Sequence, residues 1–307
     1  MKILLQQFEN LIKRMRYNSN WYDFYLVYFG LKKEALIKFK NTIAVKIKMD
    51  NISPYYFVEK FYNITKTRIL LKSLPQNFEC NDFIFNFDNL KWYIKNEYIL
   101  DSVNDILQRY NEPLTYNLFN SLIGDVFVNV GSNVGGYTLR ARKFSDVIAI
   151  EPNPQIYNIL KKNVELNKIN IKILNIAAWD KKCKIKLYEP KTNKLGSVGG
   201  VSTLLPDTML KNKVNYNSFY KVRADTLDNI LNDLIYIDLL IIDAENAESV
   251  ILNHSKKTLA KTKVIIIEVR DNTEIIVREI LKNNGFKISV LDIFQGSKNI
   301  CGKKYEN

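Results

Sequence analysis

Residues 125–152 read DVFVNVGSNVGGYTLRARKFSDVIAIEP: an apolar run, a glycine-bearing turn, a helix-like segment, a second apolar run and an acid. That order is a nucleotide-binding βαβ half. It predicts a buried parallel strand over 126–130, a turn over 131–136, a helix opening over 137–144, and a second strand over 147–150 that ends in Glu151. Glycines at 131, 135 and 136 allow the backbone to approach a ligand closely, because a residue without Cβ avoids the steric penalty. Glu151 lies 20 residues beyond Gly131, the spacing at which a carboxylate at a strand end accepts both hydroxyls of a ribose. The residues therefore point to a ligand carrying adenosine.

Which adenosine ligand depends on the turn. Dinucleotide binders space their glycines as G-x-G-x-x-G, so that a pyrophosphate can sit on the helix N-terminus. Here the turn is GSNVGG: Asn133 stands where the second glycine is expected, and no Lys-Ser/Thr pair follows as in a phosphate-cradling loop. A bulkier, more polar turn suits a ligand without phosphates, whose amino-acid tail meets backbone and amide groups. S-adenosylmethionine is such a ligand. Another doubly wound protein can carry a similar turn, so the turn alone leaves both readings open, and the spacing of Glu151 favours the cofactor.

The 307 residues suffice for one large or two modest domains, and 47% apolar content supplies a packed core. No apolar run reaches the ~18 to 20 residues of a membrane span; the best, 234–242, is broken by Asp238. Residues 1–16 carry Gln6, Gln7, Glu9 and Asn10 within their apolar stretch and no small-residue cleavage site. They do not read as a secretory signal, and a cytoplasmic location is expected. Cys80, Cys183 and Cys301 are far apart, which argues against a zinc site or a disulfide framework, and a single histidine, His254, excludes a multi-histidine metal centre. The net charge of +13 raises nucleic acid, anionic lipid or an acidic glycan as partners. The charge is spread, however: residues 1–120 hold 17 basic and 12 acidic side chains, the remainder 28 and 20, so neither half is a basic arm. The Lys-Lys pairs read as solvated faces.

Residues 1–120 are mixed, with an amphipathic basic helix over 3–15, strands over 43–47, 83–87 and 90–94, and a hairpin turn at Asp88-Asn89. Trp21, Tyr22, Phe24, Tyr25, Tyr28 and Phe29 are expected mainly in the core. This part reads as a small α+β accessory domain. Residues 121–307 read as the ligand-binding domain. Their pattern gives helices over 154–167, 226–232, 247–259 and 273–285, and strands over 171–178, 184–188, 239–243, 264–269, 288–291 and 300–303. Such alternation predicts a doubly wound, mostly parallel α/β sheet of Rossmann-like type, with ligands at the strand C-terminal ends. Residues 190–219 read as irregular, and the 196–203 segment, GSVGGVST, reads equally as a substrate lid or a surface loop.

The run LLIIDAENAE, 239–248, puts three carboxylates at the end of a buried strand and the start of a helix. Capping explains Glu248 well, since free N–H groups and the macrodipole favour an acid there. It explains Asp243 less well, because that residue follows four apolar ones and should face the cleft. The four blocks VNVGSNVGGYTL, VIAIEPNPQIYNILKKNVELN, LLIIDAENAESVIL and VIIIEV, in this order, resemble the FkbM-type S-adenosylmethionine-dependent methyltransferases, over residues 125–268. The resemblance implies a class I methyltransferase fold and methylation of hydroxyl oxygens of sugars and secondary metabolites. Matched by position, it implies that Gly131, Ser132, Asn133 and Gly135 shape the methionine-end turn. Glu151 would hold the ribose with Pro152 and Asn153 in its turn, and Ala178 would lie near the adenine. Asp243 and Glu245 would sit at the reaction cleft, Asp243 also contacting the cofactor. Asn129 and Asn246 depart from the family's usual Asp and Gly: the first brings no charge toward the cofactor ammonium, the second tolerates a left-handed backbone.

A hydroxyl nucleophile must lose its proton, and Asp243 is the first choice of acceptor, Glu245 the second. Glu268 and His254 are further candidates, but His254 falls near a helix C-terminus and reads as a surface residue. The three acids permit a divalent ion and equally suit capping and hydrogen bonding, so no metal ligand is assigned. The reading is an O-methyltransferase of a sugar, glycan or glycosylated metabolite. A nucleic-acid methyltransferase is the first alternative, although no Asn/Asp-Pro-Pro-aromatic stretch grips a flipped base. A non-catalytic module that keeps the fold is the second.

Overall fold

The computed structural model describes residues 21–28, 31, 33–39, 43–48, 77–78, 82–189, 202–205, 218–294 and 296–304. The helix expected over 3–15, Phe29, Cys80 and residues 196–201 of the expected lid lie outside them. The chain forms two compact units, one within Met1–Val103 and a larger one of Asn104–Lys191 with Val198–Asn307.

The first unit contains helix α1 (Trp21–Tyr28), a sheet of β1 (Glu34–Phe39), β2 (Ile43–Lys48) and β3 (Asn77–Phe78), and the hairpin β4 (Phe83–Phe87) with β5 (Leu90–Ile94). Asp88 and Asn89 both take positive φ, 55° and 58°, the primed turn whose twist matches two antiparallel strands. Alternation buries Phe85, Phe87, Leu90, Trp92 and Ile94 on one side, and the Trp92 indole donates to Phe87 O. Phe24 is buried as expected of the aromatic cluster, whereas Tyr22 is exposed.

The boundary between units falls within α2 (Ile99–Ile106), ahead of residue 121. Helices α3 (Gln108–Asn111) and α4 (Pro113–Ser121) follow, then strands β6 (Val126–Val130), β7 (Asp146–Ile150) and, after α5 (Pro154–Asn167), β8 (Lys172–Leu174). Next come β9 (Ala177–Ala178), β10 (Cys183–Glu189), β11 (Ser218–Asp225), α6 (Leu227–Ile230) and β12 (Ile237–Ile242). The chain closes with α7 (Glu248–Asn253), α8 (Lys256–Ala260), β13 (Thr262–Arg270), α9 (Asp271–Asn283), β14 (Lys287–Phe294) and β15 (Ser297–Lys303).

Seven strands form one sheet in the order β14-β15-β13-β12-β6-β7-β8, parallel except where β15 runs antiparallel to both neighbours. The central strands are buried on both sides, as continuous apolar runs require. Val126, Val128, Val130, Leu240 and Ile242 pack toward α6, α7, α8 and α9, while Phe127, Leu239, Ile241 and Ile266 pack toward Phe119 of α4 and toward Tyr137 and Phe144. Asp238, which breaks the apolar run, accepts from the N–H groups of Asp125 and Val126 and pairs with Lys263, so it ties β12 to the start of β6. Helix α4 receives its cap from far along the chain: Asp292 of β14 accepts from Leu114 N, Thr115 N and the Thr115 hydroxyl.

Four expectations need correction. Residues 137–144 form only a 3₁₀ turn, Thr138–Arg140, with no side chain capping its start. The strand expected over 171–178 splits: β8 joins the main sheet, while β9 pairs with β11 in a separate sheet, β10-β11-β9. The helix expected over 247–259 breaks into α7 and α8 where the Ser255 hydroxyl bonds back to Ile251 O. Finally, the irregular 190–219 stretch ends in the start of β11, whose alternation SFYKVRAD packs Val222 and Ala224 with Leu187 of β10.

Candidate active site

At the end of β6 the chain must turn sharply under β12. Gly131 does so with φ of +76°, and a Cβ there would fall 1.7 Å from Asp243 O. The N–H groups of Gly131 and Ser132 both donate to Ile150 O, and the Ser132 hydroxyl donates to Asn129 O, so turn, β6 and β7 are locked together. Asn133 follows in a left-handed conformation, φ 48°. This aims its N–H at Glu151 Oε2, 2.9 Å away, while Asn153 N meets Oε1 at 2.8 Å. Glu151 is thus buried at the end of β7 with each oxygen held by one backbone donor. Burial pushes its carboxyl up to about 7, against the pull of those two donors. Asn153 uses its side-chain oxygen to cap α5, accepting from Gln155 N and Ile156 N.

At the end of β12, Asp243 N donates to Val130 O, and Glu245 and Asn246 both adopt positive φ, 48° and 76°. The side chain of Glu248 closes this turn, accepting from Ala244 N and Asn246 N, which is the capping role expected of it. Glu245 pairs with Arg270 at 2.6 Å, and its carbonyl accepts from the Thr203 hydroxyl. Asp243 opens into the cleft. Desolvation by the cleft walls, then the like charges of Glu268, Glu245, Glu112 and Glu248, hold its carboxyl well above the usual range. Because the side chain itself is exposed, we attribute more of that rise to crowding by carboxylates. Burial also pushes Glu245 up to about 7, although Arg270 opposes it.

The segment joining α2 to α4 covers the turn. Asp105 Oδ2 accepts from Gly135 N and Gly136 N, both at 2.9 Å, and Glu112 accepts from the Tyr137 hydroxyl and from Asn299. Gly136 permits this approach, since a Cβ there would stand 2.2 Å from Gln108 Oε1. Burial pushes both Asp105 and Glu112 up to about 7. The resulting cleft encloses about 990 Å³ of non-atom space, open solvent at its mouth included. Its lining holds Asp105, Glu112, Glu151, Asp243, Glu245 and Glu268 and, among the described residues, neither Lys nor Arg. Such a cleft attracts cations and repels phosphates, although the chain as a whole carries +13.

Of the residues singled out from sequence, Asn129, Gly131, Ser132, Asn133, Glu151, Pro152, Ala178, Asp243 and Glu245 line this cleft. Gly135 and Asn153 stand behind it, presenting backbone to Asp105 and Glu151. Asn129 is buried, its amide donating to the Thr138 hydroxyl. Glu268 also lines the cleft, whereas His254 is exposed at the end of α7 and lies apart. Asp105, Gln108, Glu112, Tyr137 and Asn299 were not foreseen. All but Tyr137, which follows the glycine turn, come from segments with no motif, and only the contacts named above reveal them. Among the described residues, no three His, Cys, Asp or Glu are arranged to hold a metal ion.

Residues 125–288, more than half of the chain, match the sequence model of the family described as Methyltransferase FkbM domain. No curated protein sequence matches. Solved structures similar to this chain include precorrin-6y C5,15-methyltransferase from Geobacter metallireducens GS-15, 14% identical, covering 62% of this chain and 86% of that one, with a TM-score of 0.38. M. jannaschii TYW2 in complex with AdoMet is 16% identical over 73% of this chain and 85% of that one, with a TM-score of 0.39. The Pyrococcus abyssi tRNA (uracil-54, C5)-methyltransferase in complex with S-adenosyl-L-homocysteine is 13% identical over 73% and 43%, with a TM-score of 0.40.

Proposed function

The chain belongs to the Methyltransferase FkbM domain family, and from that premise we propose that it transfers a methyl group from S-adenosylmethionine to a hydroxyl of a sugar, glycan or glycosylated metabolite. The observation that carries the cofactor reading is Glu151. Each of its oxygens accepts one backbone N–H and keeps a further lone pair, so the pair can receive two ribose hydroxyls at the end of β7. Two more features fit the donor. The lining of six carboxylates without a base suits a sulfonium and an ammonium, and the buried Asn133 Oδ1 has no hydrogen-bond partner of its own. Ala178 in β9 would border the adenine. When bound, the cofactor supplies an electrophilic methyl group.

The protein's own part is to orient the acceptor and take its proton. Asp243 fits that role best, because its carboxylate opens into the cleft and its raised pKa brings it nearer the operating range of a general base. Glu245 comes second, since its carboxylate is already engaged by Arg270. The proton passes to Asp243 as oxygen takes the methyl, and positioning contributes much of the rate, roughly 7 to 11 kcal/mol in favourable cases. An accessory role for residues 1–120 and a cytoplasmic setting complete the proposal. No helix among the described residues is long and apolar enough to cross a membrane.

The net charge of +13 favours a second reading, a nucleic-acid methyltransferase. The absence of Lys and Arg from the described lining weighs against a phosphate backbone entering the cleft. Mass spectrometry of glycans from a host with and without the gene tests the acceptor: a methyl's mass difference on a sugar is expected. Donor binding without any such product would remove the sugar and leave the donor. A filter-binding titration with salt addresses the rival, which requires affinity falling steeply as salt rises.

A further inference from the structure

The donor proposed above carries an α-ammonium and an α-carboxylate at the end of its methionine tail, and the inference here rests on that reading. In a phosphate-binding turn, the first N–H groups of the following segment receive an anion. In this chain those donors are already taken. Gly135 N and Gly136 N converge on Oδ2 of Asp105, which is buried against them, and Gly136 has no Cβ to hold the segment away. The end of the turn therefore presents a carboxyl group where an anionic tail group would otherwise dock.

Asp105 lines the cleft, and its second oxygen, Oδ1, makes a long contact, 3.4 Å, with the Asn133 side-chain amide, while Val134 N–H and the Arg140 charge also favour its ionised form. The neighbouring candidates are less suited to a cation. Asn129 at the end of β6 is neutral, and its amide is spent on Thr138. Glu151 is held by Asn133 N and Asn153 N, and Glu112 accepts from Tyr137 and Asn299. Asp105 lines the same cleft as these acids, and Asn133 reaches it and Glu151 alike, through its side-chain amide and its N–H. A tail that leaves a ribose held at Glu151 and runs along the turn passes it. We propose that Asp105 holds the α-ammonium of the donor, one oxygen fixed by the glycine amides and the other facing the ligand, so that the neutral Asn129 need not supply the charge.

The test compares two ligands that differ only in that tail. S-adenosylhomocysteine carries the ammonium; 5′-methylthioadenosine keeps the adenine and ribose and lacks it. Asp105→Asn retains one oxygen for both glycine amides and replaces the other with an amino group. Calorimetry should show S-adenosylhomocysteine bound about ten- to hundredfold more weakly by Asp105→Asn, with 5′-methylthioadenosine unchanged. Glu151→Gln should weaken both. Equal losses for the two ligands in Asp105→Asn, or no loss in either, would overturn the assignment. Thermal melting establishes that the variant is folded; if it is not, Asp105→Glu, which displaces the charge, is read against the same outcomes. A wild-type protein that binds neither ligand would defeat the donor reading itself, and this inference with it. A protein that binds both ligands while Asp105→Asn discriminates between neither leaves the donor reading intact and removes only the role of Asp105.

Discussion

Replacing Glu151 by Gln separates what this residue does for the fold from what it does for the ligand. The carboxylate offers an acceptor to both Asn133 N and Asn153 N. Glutamine offers one oxygen, so its amino group must face one of those donors and one of the ribose hydroxyls loses an ionic acceptor. Hydrogen bonds to charged groups contribute about 1.5–3 kcal/mol, so the dissociation constant for S-adenosylhomocysteine should rise by roughly ten- to 150-fold. Stability follows a different course. Burial raises the Glu151 carboxyl from 4.5 to about 7, which corresponds to roughly 3 kcal/mol, at most, by which the site disfavours the ionised form. The folded protein therefore holds this proton more tightly than the unfolded chain. The contribution is fully present below about 4.5 and is lost as pH rises through about 7. At pH 8 the substitution removes that penalty while forfeiting one backbone bond, so the net stability change is small, within about 1–2 kcal/mol. Urea melts at pH 5 and pH 8 should show the wild type losing more stability with rising pH than the variant. An unchanged dissociation constant in a folded Glu151→Gln protein would refute the reasoning.

Further expectations concern chemistry and architecture. Asp243→Asn should reduce methyl transfer by about 10²- to 10⁴-fold while donor affinity, read by calorimetry, changes much less; in the wild type the single-turnover rate should climb with rising pH, because desolvation and crowding by carboxylates raise the Asp243 carboxyl. A pH-independent rate would exclude it as the base. Gly131→Ala should abolish donor binding, since its Cβ would overlap Asp243 O at a positive φ, and a variant that binds normally would contradict the described turn. Asp292→Ala removes the acceptor for Leu114 N and Thr115 N and should lower stability by about 1–3 kcal/mol in urea melts.

The sheet was legible because its central strands are predominantly apolar runs: 126–130 and 147–150 appear as β6 and β7 almost residue for residue, and the Asp88-Asn89 turn adopts the positive φ expected of its residue types. Asn246 likewise takes the left-handed backbone its side chain tolerates. Local pattern failed where long-range bonds decide. Nothing near Tyr137 says that the helix will stop after one turn, and the alternation of SFYKVRAD was masked by the polar stretch before it. Asp105 sits in ordinary helical sequence and Glu112 between two short helices, and their place over the turn follows from bonds to Gly135, Gly136, Tyr137 and Asn299 that cross 25 to 187 positions of chain.

The sign of the cleft also bears on how an acceptor is sampled. With six acids and no base in the described lining, the chain's surplus of positive charge belongs to its other residues. An anionic group on an incoming molecule is therefore less favoured at the cleft than a neutral or cationic one, and the more so as pH rises and the buried acids ionise.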